Sequence, residues 1–143
     1  MPLVLTSLAI DAPVTRVWEV LTDLDHYGEW NPVIFEPRGD LRPGGDLDFK
    51  IKLGSITAPI AARIIRADGT ELRWEGPRSS LQKPLATGNH FFRLEAIDDD
   101  RTRLVHGEKF SGPLFSLPWR FIRPQLEKGY GLLNQKLKER AEA

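Results

Sequence analysis

The segment from about Pro118 to Ala141 constrains this chain more than any other. Trp119, Ile122, Leu126, Tyr130, Leu133, Leu137 and Ala141 recur at steps of three and four residues, which aligns them as one stripe along an α-helix. At roughly 1.5 Å per residue such a helix is about 36 Å long. Arg120, Glu127, Lys128, Gln135, Lys138 and Glu139 lie on its other side, so the stripe needs a partner while the back stays wet. No neighbouring segment is helical enough to provide one. The upstream hydrophobics fall mostly in short alternating runs, and the spacing therefore predicts one long helix laid against a curved antiparallel sheet.

Taken in order, Leu3 to Ile10 reads as a first strand. Asp11-Ala12-Pro13 reads as a helix start, with Asp11 capping free N–H groups. Val14, Val17, Trp18 and Leu21 then share a helical face that ends near Thr22. A second short helical piece runs from Asp23 to Trp30 and breaks at Asn31-Pro32, since proline holds its predecessor away from helical torsions. Beyond that point the period becomes two. Val33 to Glu36 is a short strand and Gly39 to Gly45 a turn cluster. Leu47, Phe49, Ile51 and Leu53 alternate with charged residues, as in a half-buried strand. Ala58 to Ala67 and Glu71 to Glu75 flank Asp68-Gly69, a hairpin signal. The stretch Gly76 to Ala86 is long for a hairpin connection and is a candidate flap. Gly88 to Ile97 and Thr102 to Ser111 follow, joined by an acidic turn. The predicted order is β, α, α, about six strands in a meander, then α: an α+β chain of about six to seven strands with two short helices after the first.

A length of 143 residues fits a single domain over residues 1–143. Twenty Lys and Arg balance twenty Asp and Glu, so the basic footprint that nucleic acid requires is missing and no such partner is expected. The absence of cysteine removes disulfides, thiolate nucleophiles and Cys-based metal sites together. Met1 to Ile10 is apolar but too short to span a bilayer and has no basic flank. No stable membrane insertion is expected, and the location expected is cytoplasmic. There is no nucleophile elbow, P-loop or dinucleotide fingerprint.

Particular residues in this order resemble the SRPBCC superfamily, the helix-grip fold of START-type lipid-transfer domains, birch-pollen-allergen-like proteins and bacterial polyketide cyclase/dehydrase-like proteins. They are Ile10-Asp11-Ala12-Pro13, Val17-Trp18, Leu21-Thr22-Asp23, Tyr27 and Trp30-Asn31-Pro32. Gly39, Leu41, Gly44, Leu72-Arg73-Trp74, Gly88, His90, Phe92 and Leu94 continue the pattern. Thr102-Arg103, His106, Glu108, Phe110-Ser111-Gly112, Asn134, Leu137, Lys138 and Arg140-Ala141-Glu142 complete it. The resemblance runs over nearly the whole chain and implies a cavity between sheet and helix. It does not name a ligand.

His90, His106 and Glu108 are the first polar candidates, because strand alternation places them on the face of Phe92, Leu94, Leu104 and Phe110 that should look at the helix. Antiparallel pairing around the acidic turn brings Leu94 near Leu104 and sets His90 opposite Glu108. Such a pair either contacts a ligand carbonyl or hydroxyl as an acid–base group, or satisfies itself and fixes register. The wider candidate lining is Trp30, Asn31, Phe49, Ile51, Trp74, Phe92, Leu104, Phe110, Leu126, Tyr130 and Leu133. Of these, Trp30 and Trp74 can equally be core fillers, and Asn31 a turn-stabilising side chain. No H-x-x-x-H spacing accompanies the histidines, so neither metal nor cofactor is expected. In the helix, Pro124, Gly129 and Gly131 are irregular. They leave room beneath it for a ligand, or Gly129 and Gly131 allow close approach to the sheet and the regular helix begins only near Pro124. Phe115, Leu117, Trp119 and Phe121 form a candidate exposed patch, so the chain is expected to be a monomer or a homodimer.

The leading expectation is binding, with or without transport, of a small hydrophobic lipid-like or aromatic molecule. A cyclase or dehydratase-type enzyme using the same cavity is the alternative. A protein-interaction or stress-response domain with no small ligand is a further one.

Overall fold

The computed structural model describes residues 2–79, 81–82, 84–115 and 118–143. Strand β1 (Leu3–Ile10) is followed by helix α1 (Val14–Thr22), a short 3-10 helix (Leu24–Glu29) and strands β2 (Ile34–Gly39), β3 (Asp46–Leu53), β4 (Ile56–Ala67), β5 (Glu71–Gly76), β6 (Thr87–Asp98) and β7 (Arg101–Ser111). A single 3-10 turn (Pro113–Phe115) leads into the long helix α2 (Trp119–Glu142). The strands form one antiparallel sheet in the order β1-β7-β6-β5-β4-β3-β2. This is the expected meander, with the first strand returned to its far edge. Register shifts at Phe35/Arg38 in β2, Ile64/Arg66 in β4 and Ala96/Asp98 in β6 insert bulges that bend the strands. The curvature lets the sheet wrap α2. Among the described residues no helix is long and apolar enough to cross a membrane.

Several local readings change. Asp11 does not cap α1. The N-cap is Pro13, whose carbonyl accepts from Arg16 and Val17 N–H, while the Asp11 N–H bonds the Glu142 carboxylate at 2.7 Å. Among the described residues no side chain makes a cap bond to α1. Helix α2 contains Pro124 rather than starting at it: Phe121 and Ile122 N–H bond the Pro118 carbonyl in a turn that precedes the proline. Glu71 shares its strand face with Arg73 yet is buried, paired with that guanidinium at 2.9 Å. The hairpin signal behaves as read. Gly69 takes φ +92°, and the Asp68 carboxylate accepts from Thr70 and Glu71 N–H, a local bond that holds the turn.

The solid core lies under the C-terminal half of α2. Leu133, Leu137 and Ala141 pack with Val17, Val20 and Leu21 of α1 and with Ile10, Leu72, Phe92, Leu94 and Leu104 of the sheet. Fully burying a leucine contributes about 1.5–3 kcal/mol, so Leu133 and Leu137, both at 0 % exposure, anchor this end. Under the other half a smaller cluster of Val4, Phe110, Leu126 and Tyr130 forms, with Phe115, Trp119 and Ile122 against it. Phe115 and Trp119 thus pack on Phe110, whereas Phe121 and Leu132 remain exposed. Leu117 lies outside the described residues.

The helix glycines differ from each other. A Cβ on Gly129 would sit 2.8 Å from Leu53 Cδ2, so this glycine allows the helix to close on β3, while one on Gly131 would meet nothing within 4 Å. Gly131→Ala should therefore raise stability by about 1 kcal/mol, the helix-interior difference between the two residues, and Gly129→Ala by distinctly less. Urea unfolding midpoints of the two variants check this.

Both tyrosines of the chain are buried, and burial raises both phenol pKa values above the ordinary 10, with Asp23 adding to it for Tyr27 and Glu108 for Tyr130. A pKa raised in the native state contributes stability that is complete below the unfolded value and lost as pH climbs through the native one. In an alkaline titration, phenolate absorbance should be absent as pH passes 10 and then appear together with the loss of near-ultraviolet circular dichroism. Phenolate in folded protein near pH 10 would contradict the burial.

Candidate functional site

Between the N-terminal half of α2 and the sheet lies a cavity of about 730 Å³. Val33, Ile34, Phe49, Ile51, Leu53, Ile60, Phe110, Phe115, Ile122 and Leu126 give it apolar walls, and Pro77, Gln82 and Ala86 of the long loop close one side. That loop is tied down at its start. Arg78 bonds the Ala61 carbonyl through its N–H and the Ala62 carbonyl through its guanidinium, both at 2.8 Å, and pairs with Asp48 at 3.0 Å. Exposed Glu36, Arg38 and Lys50 border the cavity on the β2–β3 side.

Its inner end is polar. His90 on β6 and Glu108 on β7 are direct cross-strand partners, as Leu94 and Leu104 are further along. Both project onto the face toward α2, where Tyr130 meets them. His90 Nδ1 lies 3.1 Å from Glu108 Oε1, and the Tyr130 hydroxyl donates to the same oxygen. His90 Nε2 lies 2.7 Å from His106 Nε2, and His106 Nδ1 lies 2.7 Å from Asn134 Oδ1. Asn134 Nδ2 then donates to Thr6 Oγ1 at 2.7 Å, and the Thr6 hydroxyl donates to the His106 carbonyl at 2.8 Å. A continuous polar chain therefore runs from β1 through α2 and β7 to the cavity.

Aromatic rings wrap this chain. Trp74 stacks on His90 with centroids 4.5 Å apart and planes 18° apart. Phe92 and Tyr130 stack on His106 at 4.1 and 4.5 Å. Burial, reinforced by nearby His90, holds the His106 imidazole well below its ordinary pKa against the opposing bond to Asn134. His106 is thus neutral. The two histidines bond each other rather than converging on a common point, and among the described residues no group of three His, Asp or Glu side chains is placed to hold a metal ion.

Of the candidates read from the sequence, Phe49, Ile51, Trp74, His90, Glu108, Phe110, Leu126 and Tyr130 line the cavity. The structure places Phe92, Leu104, His106 and Leu133 behind that wall, each fully buried. Trp30 packs edge-on against Tyr27 at 5.1 Å, and Asn31 Oδ1 accepts from Val33 and Ile34 N–H at 3.0 and 2.8 Å. Both lie outside the lining, Asn31 in the turn-stabilising role that was the other reading of its side chain. Thr6, Gly88 and Asn134 received no site role from the sequence. Asn134 follows Tyr130 by four residues, the step that had joined Leu126 to Tyr130, and that spacing marks it as a polar side chain on the buried stripe.

Comparison with known proteins agrees with this architecture. No protein of curated function matches the sequence. An aromatase/cyclase from a Streptomyces species superposes with a TM-score of 0.75 at 17 % identity, covering 98 % of this chain and 93 % of that one. A START superfamily protein from Mycobacterium smegmatis gives 0.74 at 16 %, covering 98 % and 97 %. Norcoclaurine synthase from Thalictrum flavum, in complex with dopamine and hydroxybenzaldehyde, gives 0.69 at 14 %, covering 96 % and 84 %. At such identities these likenesses speak to the fold. The sequence itself is matched over residues 1–142 by the family described as polyketide cyclase/dehydrase and lipid transport, and the chain belongs to that family.

Proposed function

We propose that this protein binds a small, largely apolar molecule in the cavity beneath α2, with one polar group of that molecule held by Glu108, which His90 and Tyr130 orient. The observation that carries this reading is the cavity itself. Its volume of about 730 Å³ falls within the usual range of small-molecule sites, which are mostly apolar with a few convergent polar groups. The Glu108 side chain, at 15 % exposure against 7 % for His90, is the more accessible member of the polar end. Its Oε1 is engaged by His90 and Tyr130. Oε2 lies over Gly88, where a Cβ would approach it to 2.2 Å, and among the described residues it is the oxygen left for a guest.

The His90–Glu108 pair also favours a second reading, a cyclase or dehydratase-type enzyme. A carboxylate backed by an imidazole can exchange a proton with a bound carbonyl compound, and the family's description includes such enzymes. The ligand-free reading as an interaction domain needs a filled core, and the cavity counts against it.

Native mass spectrometry of freshly purified protein should reveal a noncovalent small-molecule adduct, and 1-naphthol should bind the stripped protein. Ile60→Trp, which fills the void, should weaken 1-naphthol at least tenfold. Glu108→Gln should weaken it about tenfold while leaving naphthalene unchanged, as expected for loss of one hydrogen bond to a charged group. Absence of any adduct together with failure of both probes to bind would overturn the binding reading. Cyclisation of a poly-β-ketone, lost in Glu108→Gln while naphthalene affinity persists, would establish the enzymatic one.

A further inference from the structure

The buried chain behind the cavity has a direction, and the direction is set by a group that can only accept. The Thr6 hydroxyl donates to the His106 main-chain carbonyl, so its single proton lies in that bond and its oxygen must accept from Asn134 Nδ2. This fixes the Asn134 amide with Oδ1 toward His106. His106 Nδ1 therefore carries a proton. His106 is neutral and buried, so its Nε2 is a bare acceptor, and His90 Nε2, 2.7 Å away, must carry the proton between them.

What remains is His90 Nδ1, 3.1 Å from a Glu108 oxygen that already accepts from Tyr130. Two lone pairs facing each other there would repel, so a proton is required between them. The Trp74 face, 4.5 Å away and nearly parallel, favours a cationic ring. We propose that Thr6 and Asn134 are positioning residues which, by fixing the tautomer of His106, keep His90 as an imidazolium paired with the Glu108 carboxylate. Were the Asn134 amide reversed, His106 would donate through Nε2, His90 would accept there, and a neutral His90 would satisfy Glu108 through Nδ1–H alone. One amide orientation thus decides whether the polar end of the cavity holds an additional proton.

The inference concerns the empty protein, so its test is separate from whether the cavity takes a ligand. With three histidines in the chain, long-range proton–nitrogen NMR of the ring nitrogens at neutral pH can assign each, His26 being identified by its own substitution. The native protein should show His106 protonated on Nδ1 only and His90 protonated on both nitrogens. Thr6→Val, which releases the amide, should move the His106 proton to Nε2 and leave His90 with one proton. Thr6→Ser should restore the native pattern, and Asn134→Asp should retain the Nδ1 proton of His106. A native spectrum with His106 protonated on Nε2, or with only one proton on His90, overturns the proposal. So does a Thr6→Val spectrum identical to the native one.

Discussion

A helix of 24 residues needs more apolar surface than one strand pair can offer, and the way α2 meets the sheet determines everything else. On one side it adjoins β1, through Val4 beside Leu126 and Tyr130 and through the Thr6–Asn134 bond. On the other, Gly129 closes on Leu53 of β3. These strands lie toward opposite ends of the sheet order, so the helix spans the curl and the strands between pass beneath it. At the C-terminal end α1 and the first-strand residues fill the gap. At the N-terminal end nothing comparable does among the described residues, and the cavity is the space left by that difference.

The polar chain crosses this boundary between solid core and void. Burying amides, imidazoles and hydroxyls is costly unless each finds a partner, and a satisfied network in a low-dielectric interior gains strength from its own polarisation. Here Thr6, Asn134, His106 and His90 each bond the next, and the chain terminates at a carboxylate that reaches the cavity. An interior selected for packing alone would place apolar groups at positions 106 and 134, where exposure is 0 % and 1 %. The network makes sense as support for the groups in front of it.

Much of this was legible in the sequence because strand periodicity is rigid. Once Gly88 to Ile97 and Thr102 to Ser111 are read as a hairpin, period-two alternation and the turn between them leave little freedom, and His90 must face Glu108. The helix stripe was equally plain. The local chemistry of the ends was less so: Asp11 carries the features of a cap, but its N–H is taken by Glu142 at the far end of the chain, a contact that no local pattern encodes. Depth was also hidden. Alternation places His90 and His106 on one face without saying that Tyr130 and the helix would cover His106 completely and leave His90 at the wall.

Gly88 illustrates why a site of this kind resists being read from its polar residues alone. In the sequence it marks the start of a strand and one position of the family resemblance, with no site role of its own. In the fold it sits diagonally from Glu108, and the missing side chain is the space that the carboxylate occupies, since any Cβ there would come within 2.2 Å of Oε2. With a side chain at position 88 the carboxylate would have to turn elsewhere, and its approach to both Tyr130 and His90 would change with it. The glycine therefore sets the direction of the acid as firmly as the hydrogen bonds do, through excluded volume rather than through charge.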